Sequence, residues 1–174
     1  MAIPICKSYP YIYLLILLLS MGGTLFASAT PVEDVCHRTS DEDFCKMVLG
    51  SDPRTQTAGL RELGQIVIDK ASRVANGTKV KIHSLSLSSK DPTLYSDLRM
   101  CDAYYGAALT ALKEATDALN RGEYFNLNIL AAAVNGDGFN CEALFQEPPT
   151  RKSPLTSEND DLERFGDILG GLGS

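Results

Sequence analysis

The residues best suited to chemistry in this sequence are its cysteines, of which there are five in 174 residues. Cys6 lies in an apolar leader, and the other four follow it. An even number of cysteines in an exported chain is typical of disulfide bonds. We therefore expect two bridges, which would leave no thiol free to act as a nucleophile. The four cysteines are Cys36, Cys45, Cys101 and Cys141. They allow three pairings, and the positions of the helices that carry them must decide which pairing forms.

Other patterns for catalysis or metal binding are poor. The chain has two histidines, His37 and His83, and neither has metal-ligand spacing to a partner. Residues 135–140 resemble a calcium loop in composition, but the fifth position is Phe139, whose side chain has no oxygen ligand. We expect a loosened helix turn there instead. The sequence therefore predicts no metal, no cofactor and no enzyme activity.

The strongest structural signal is a pair of helical runs. Asp91-Pro92 is typical of a helix start, and Gly122 is typical of the position just past a helix end. Because a second run follows directly, the two helices must lie antiparallel. Each is expected to bury one apolar face. The first run carries Leu98, Cys101, Tyr105, Ala108, Leu112, Ala115 and Leu119. The second carries Phe125, Ile129, Leu130, Ala133, Val134, Cys141 and Leu144.

This hairpin also predicts the disulfide pairing. Cys101 and Cys141 lie equally far, about twenty residues, on either side of Arg121. Residues equidistant from the turn of an antiparallel hairpin face each other at the same height. We therefore predict a Cys101–Cys141 bridge, which leaves Cys36 to pair with Cys45.

The remaining elements complete an all-α fold. Residues 32–49 predict a small helical hairpin that needs its disulfide, because helices this short are marginal in isolation. An apolar stripe over residues 54–89 stays in phase across Asn76-Gly77, which favours one long helix over two helices separated by the glycine. A last helix begins near Thr156. The fold class is an antiparallel up-down-up-down four-helix bundle over residues 53–172, behind the N-terminal hairpin.

The beginning of the chain predicts export. Residues 1–29 hold one charge, Lys7, then an apolar run and Ala27-Ser28-Ala29, which is typical of a cleaved signal peptide rather than a membrane anchor. One domain of residues 30–174 would remain. Its net charge would change from −6 to −7 with the loss of Lys7, which argues against nucleic acid and anionic membranes as partners. Asn76-Gly77-Thr78 is a sequon for N-glycosylation.

Several short segments together carry a family resemblance. They are the Cys36 and Cys45 pair, Ser51-Asp52-Pro53-Arg54, Leu98-x-x-Cys-x-x-Tyr-Tyr, Gly122-Glu123-Tyr124, Ala131-Ala132-Ala133 before Cys141-Glu142, and Ser153-Pro154-Leu155-Thr156 with Asn159. In this order the chain resembles the plant pectin methylesterase and invertase inhibitor family, over all residues after the leader. The family joins its first cysteine to the second and its third to the fourth, in agreement with the pairing above.

The resemblance implies a non-catalytic inhibitor that is secreted to the cell wall, the apoplast, and binds one-to-one over its target's substrate cleft. Some invertase inhibitors carry a Pro-Lys-Phe motif just after the central turn. The Pro-Lys pair of that motif is missing from Gly122-Glu123-Tyr124-Phe125. We therefore expect pectin methylesterase as the partner, with acid invertase as the alternative. The family's last helix usually runs on in apolar turns, whereas the glycine-rich end after Leu169 predicts weaker final turns here.

Candidate target contacts follow from the charge of the central hairpin. Its exposed carboxylates are the residues that we expect to meet the target: Asp102, Glu114, Asp117 and Glu123. Functions of another class are a secreted helical carrier of small ligands and a signalling bundle. A carrier would need a cavity, which the many alanines on the apolar stripes disfavour, and signalling bundles usually have longer crossover loops.

Overall fold

The computed structural model describes residues 30–173, so the predicted signal peptide of residues 1–29 lies outside the described residues. Residues 30–173 form helices joined by short connections and contain no strand, which confirms the predicted all-α class. The elements are α1 (Pro31–Cys36), α2 (Glu42–Gly50), a 3₁₀ turn (Pro53–Thr57), α3 (Leu60–Ser88), α4 (Pro92–Arg121), α5 (Tyr124–Leu144) and α6 (Thr156–Leu172).

Helices α1 and α2 form the small N-terminal hairpin. The side chain of Asp41 accepts a hydrogen bond from the backbone N–H of Phe44 at 2.9 Å and so caps α2. A disulfide joins Cys36 to Cys45, with 5.4 Å between their Cα atoms. Phe44 packs edge-on against Phe165 of α6 at 5.4 Å between ring centroids. The bridge and this packing hold helices that would be marginal alone.

Helix α3 runs unbroken through Asn76-Gly77, as the in-phase stripe predicts. Gly77 lies on the exposed face, where an added side chain would meet nothing within 4 Å. Gly64 has a different role. A Cβ atom built there would lie 2.7 Å from Leu119 of α4 and 3.2 Å from Leu172 of α6. The absence of a side chain at Gly64 therefore lets three helices approach closely.

Helices α4 and α5 form the predicted hairpin. Asp91 accepts hydrogen bonds from two backbone N–H groups of the first turn of α4, and Gly122 ends that helix with a left-handed φ of 70°. All seven residues of the predicted α4 stripe are buried. A disulfide joins Cys101 to Cys141, with 4.9 Å between Cα atoms. The pairing deduced from the turn is confirmed.

The predicted buried face of α5 is wrong in part. Phe125 and Ile129 are 78% and 56% exposed, Ala133 is exposed, and Leu130 and Leu144 are half-buried. The face that packs inward consists of Leu127, Ala131, Val134, Gly138 and Cys141. Helix α5 has apolar residues on all sides and no charged residue from residue 124 to 136, so its pattern does not select one face.

Glycines decide how α5 meets α6. A Cβ atom at Gly138 would lie 2.8 Å from the backbone oxygen of Asn159, and one at Gly166 would lie 2.7 Å from the backbone oxygen of Ala131. Residues 135–140 continue the helix regularly, so the expected loosened turn is not present. Close approach of the two helices, rather than flexibility, accounts for these glycines.

The glycine-rich end of α6 is packed rather than weak. The helix continues through Gly170 and Gly171 to Leu172, and both Leu169 and Leu172 are buried. A Cβ atom at Gly171 would lie 3.2 Å from the backbone oxygen of Val35, so the small residue admits the N-terminal hairpin. The expectation of weak final turns does not hold in this structure.

The four long helices surround one apolar core. Helix α3 packs against α4 and α6, and α5 packs against the same two helices. Helices α3 and α5 therefore lie at diagonal positions, and their outer faces point in opposite directions. Within residues 30–173, none of the helices combines the length and the apolar character needed to cross a bilayer.

Candidate functional site

A buried hydrogen-bond network lies beside the Cys101–Cys141 bridge. The hydroxyl of Tyr105 donates to Asn159 Oδ1 at 2.9 Å, and Asn159 Nδ2 donates to Glu142 Oε2 at 2.7 Å. Thr156 Oγ1 donates to the other carboxylate oxygen of Glu142 at 2.8 Å. Tyr105 and Asn159 are fully buried, and this burial raises the pKa of Tyr105. Because each polar group has a partner, the network links α4, α5 and α6 specifically.

The residues of this network are among those that carry the family resemblance. Tyr105, Glu142 and Asn159 all belong to the quoted segments, and all of them serve packing in the structure. Both oxygens of the Glu142 carboxylate accept hydrogen bonds, so that carboxylate is held as a structural acceptor. These three residues of the resemblance therefore build the fold.

The histidines and acids do not form a metal centre within the described part of the chain, where no group of three or more ligating side chains converges. His37 Nδ1 lies 3.1 Å from Glu42 Oε2 on the N-terminal hairpin. His83 is exposed on α3. The two histidines therefore lie on separate elements, the N-terminal hairpin and α3.

Asp102 lies apart from the other three predicted contact residues. Its carboxylate pairs with Lys79 Nζ of α3 at 2.5 Å, so it faces the α3–α4 side of the molecule. Along α4 it is about 22 Å from Asp117, at 1.5 Å per residue. The structure therefore does not bring Asp102 to the same patch as the others.

The other three carboxylates gather near the α4–α5 turn. Glu123 pairs with Arg121 at 2.7 Å and accepts a hydrogen bond from Asn126 at 2.9 Å. The hydrogen bond from Arg121 is the main cause that lowers the pKa of Glu123 to about 2. Glu114 and Asp117 are exposed on α4. They line a groove of about 350 Å³ with these residues of both helices: Ala118, Arg121, Asn126, Ile129 and Leu130.

An exposed apolar stripe on α5 borders this groove. Phe125, Ile129 and Phe139 are 78%, 56% and 60% exposed. With Ala132 and Gly136 between them, they recur at spacings of four and three, so they share one face over about 21 Å. We call these five residues the outer stripe of α5. Most large apolar residues of the long helices face inward, so a contiguous exposed row marks a candidate binding surface.

Sequence reasoning missed the outer stripe because it assigned Phe125 and Ile129 to the buried face. A usable signal was present in the composition of α5. Its only charged residues are Asp137 and Glu142, whereas a helix with one solvated face normally carries several. The low charge of α5 was therefore a sign that apolar residues lie on its outer side as well as on its inner side.

Two further residues complete the surface description. Asn76, the sequon asparagine, is exposed on α3, diagonal to α5. Asp137 is half-buried on α5, and burial without a compensating charge raises its pKa to about 6. Asp137 is therefore a group of the hairpin that titrates in the mildly acidic range.

Comparison with known proteins agrees with this description. The family model described as "Plant invertase/pectin methylesterase inhibitor" matches residues 30–169. A "Pectinesterase inhibitor" from Actinidia deliciosa is 32% identical over 174 residues, covering 97% of this chain and 94% of its own length. A "Cell wall / vacuolar inhibitor of fructosidase 1" from Arabidopsis thaliana is 29% identical over 140 residues, covering 79% of this chain and 64% of its own length.

The fold also matches a solved structure. A crystal structure of a mutant form of a pectin methylesterase inhibitor from Arabidopsis superposes with a TM-score of 0.71. The match covers 83% of this chain and 96% of the other, at 20% sequence identity. At that identity the likeness establishes the fold and leaves the binding partner to the surface residues.

Proposed function

Because this chain belongs to the plant invertase/pectin methylesterase inhibitor family, we propose that it is a secreted inhibitor of pectin methylesterase in the cell wall. The relatives are named as inhibitors, and the chain is not an enzyme. The proposed action is one-to-one binding over the target's substrate cleft. Inhibition of acid invertase is the alternative.

The observation that supports this proposal is the outer stripe of α5 beside the acidic groove. A row of exposed apolar side chains next to Glu114 and Asp117 resembles the core and rim of a protein–protein interface. The stripe lies on a hairpin that is closed at one end by Gly122 and at the other by the Cys101–Cys141 bridge. A surface held rigidly in this way loses little conformational freedom when it binds.

We infer further that the long helices follow the antiparallel up-down-up-down order of a four-helix bundle. Contacts between neighbours support this order, because facing residue numbers rise in one helix as they fall in the other. Between α3 and α4, Lys79 contacts Asp102 and Gly64 lies against Leu119. The same trend relates α3 to α6. Lys81 of α3 pairs with Glu158 of α6, and Gly64 of α3 lies against Leu172 of α6.

The choice of pectin methylesterase over invertase rests on the central turn and on one relative. The turn reads Gly122-Glu123-Tyr124, without the Pro-Lys pair of some invertase inhibitors, and Glu123 is held by Arg121 and Asn126. The Actinidia relative, which spans nearly the whole chain, is named for pectinesterase. The Arabidopsis relative named for fructosidase keeps invertase as the alternative.

The decisive experiment measures inhibition of purified pectin methylesterase and purified acid invertase side by side. We expect inhibition of the esterase with a one-to-one end point. The double variant Ile129→Ala with Phe139→Ala should weaken it at least about thirtyfold, the loss of one hot spot. The matched control is Val80→Ala with Leu87→Ala, two apolar residues on α3 that are 72% and 76% exposed, and it should inhibit normally.

Two outcomes would overturn parts of this proposal separately. Clear inhibition of invertase, without binding to the esterase at micromolar protein, would reject the target but keep the family. Loss of inhibition in the α3 control, with normal inhibition by the α5 variant, would reject the outer stripe as the contact surface.

The affinity should depend on pH. We expect the complex to weaken as pH rises from 5 to 8, if the hairpin carboxylates meet a target of like charge. Glu123, with a pKa of about 2, stays ionised throughout that range, whereas Asp137, with a pKa of about 6, becomes charged within it. The dissociation constant at two salt concentrations checks this. Weakening by acid and by added salt would instead indicate a basic target.

A further inference from the structure

The sequon Asn76-Gly77-Thr78 lies within the regular helix α3 and is split between surface and core. Asn76 is exposed, and its Nδ2 donates to the backbone oxygen of Ser72 at 2.8 Å. Thr78 is 2% exposed, and its hydroxyl donates to the backbone oxygen of Val74 at 2.9 Å.

This placement makes the folded sequon a poor acceptor. Recognition of the sequon requires the asparagine amide and the threonine hydroxyl together, as its pattern states. In an α-helix, residues two apart project about 200° apart around the axis. The transferase could reach Asn76 on the folded protein but could not reach the Thr78 hydroxyl at the same time.

We propose that Asn76 is N-glycosylated, and that the glycan is transferred only while α3 is unfolded or not yet packed. The reaction takes the sugar from a lipid-pyrophosphate-linked oligosaccharide. A bond forms between Asn76 Nδ2 and the anomeric carbon, the bond from that carbon to the pyrophosphate oxygen breaks, and Nδ2 loses one proton. Glycosylation of Asn76 in the cell requires that the chain be exported, and this part of the proposal rests on the secretion proposed above.

The order of the chain provides a period in which the sequon is accessible. The two long helices that pack against α3, α4 and α6, both follow it in sequence, and Gly64 lies against Leu119 and Leu172 of these helices. A single amphipathic helix without its partners is marginal in water. Synthesis therefore exposes the sequon before the residues that bury Thr78 have been made. Thr78 then has two successive roles, as part of the sequon first and as a core residue afterwards.

The position of the glycan is compatible with inhibition. Asn76 lies on the outer face of α3, where Val80, one turn further along, is 72% exposed. That face is diagonal to α5 and points away from the outer stripe. A glycan on Asn76 would cover Val80 and leave the outer stripe free, so the glycosylated and unglycosylated proteins should inhibit equally.

The timing is tested with purified oligosaccharyltransferase and a lipid-linked oligosaccharide, using the full chain in two states. The reduced, denatured chain should gain the mass of one glycan. The folded, disulfide-bonded chain should be modified at least tenfold more slowly. The control Asn76→Gln alters an exposed residue only and should gain no mass in either state. Equal modification of both states would overturn the timing, and no modification of the denatured chain would overturn the site.

A second measurement follows synthesis into microsomes. We expect the full chain to lose the mass of its leader and gain one glycan, which Thr78→Ser keeps and Thr78→Val abolishes. Cleavage without a glycan would overturn the site. Failure of cleavage would reject secretion instead, and the purified reaction would still decide the timing. Absence of esterase inhibition by both the glycosylated and the unglycosylated protein would reject the proposed function alone.

Discussion

Helices α4 and α5 are the two halves of one hairpin, and they use their apolar residues in different ways. Every residue of the heptad stripe on α4 is buried. Helix α5 has an inward face and also an outward stripe that contains Phe125, Ile129 and Phe139. The same spacing of apolar residues builds the core when it points inward and offers a binding surface when it points outward. Periodicity identifies such a stripe but does not give its direction.

The polar residues explain why one helix was predictable and the other was not. The outer side of α4 carries charged residues such as Lys113, Glu114 and Asp117. The charged face and the apolar face of α4 are therefore easy to tell apart in the sequence. Helix α5 has no charged residue before Asp137. The following predictions test the contrast between these two helices, in order of decreasing expected effect.

The largest effect concerns the covalent link between the two helices. Replacing Cys101 and Cys141 together by serine should lower the free energy of unfolding by about 4 kcal/mol, because this bridge closes a loop of about 40 residues. Replacing Cys36 and Cys45 should cost about 3 kcal/mol, since that loop is only about ten residues. Urea denaturation of both variants measures the difference. A larger loss for the N-terminal pair would contradict the idea that the hairpin carries the main staple.

The second effect compares an inward with an outward residue directly. Leu112→Ala on α4 should cost about 2–5 kcal/mol, as truncation of a fully buried leucine usually does. Ile129→Ala on the outer stripe should change stability by less than about 0.5 kcal/mol, because the side chain is exposed. Both values come from chemical denaturation. A loss above roughly 1 kcal/mol for Ile129→Ala would mean that the outer stripe is covered in the free protein.

The third effect concerns the buried network that joins the hairpin to α6. Tyr105→Phe removes the donor to Asn159 Oδ1 and leaves a buried acceptor unpaired, which should cost about 1–3 kcal/mol. Tyr104→Phe is the matched control, because Tyr104 is half-buried and its hydroxyl makes no hydrogen bond to another residue within residues 30–173. The Tyr104→Phe substitution should change the free energy of unfolding by less than about 0.5 kcal/mol. Thermal unfolding measures both variants. Equal shifts of the unfolding midpoint for Tyr105→Phe and Tyr104→Phe would show that the network contributes little.

The smallest effect concerns the charge on α5. Burial raises the pKa of Asp137 to about 6, so the folded protein binds its proton more tightly than the unfolded chain does. The contribution of Asp137 to stability should therefore fall as pH rises from about 4 to about 6, in the same direction as those of Asp161 and Glu163, whose pKa values burial also raises. Asp137→Asn should reduce that slope and stabilise the protein at pH 7 by about 1 kcal/mol, after allowance for solvent screening.

Unfolding free energies from pH 3.5 to 7 check this last prediction. Asp117→Asn, an exposed carboxylate on α4, serves as the control and should leave the slope unchanged. Parallel pH profiles for the wild type and Asp137→Asn would show that the half-buried carboxylate does not titrate in this window.

The sequence alone was sufficient for features that depend on neighbours along the chain. Asp91 begins α4 because its side chain caps the first N–H groups, and Gly122 ends it because that position has a positive φ. These two signals define the hairpin turn. The turn and the 1.5 Å rise per residue then place Cys101 opposite Cys141, so even this long-range bridge followed from local information.

Tertiary structure decided everything that depends on which helix faces which. Gly138 and Gly166 let α5 and α6 meet closely, and this approach turns Phe125 and Ile129 outward. The pairing of Asp102 with Lys79, which removes Asp102 from the patch of Glu114 and Asp117, also depends on how α3 packs against α4. Apolar contacts are non-directional, so a helix that is apolar on every side can bury any face, and only the shape of its neighbours selects one.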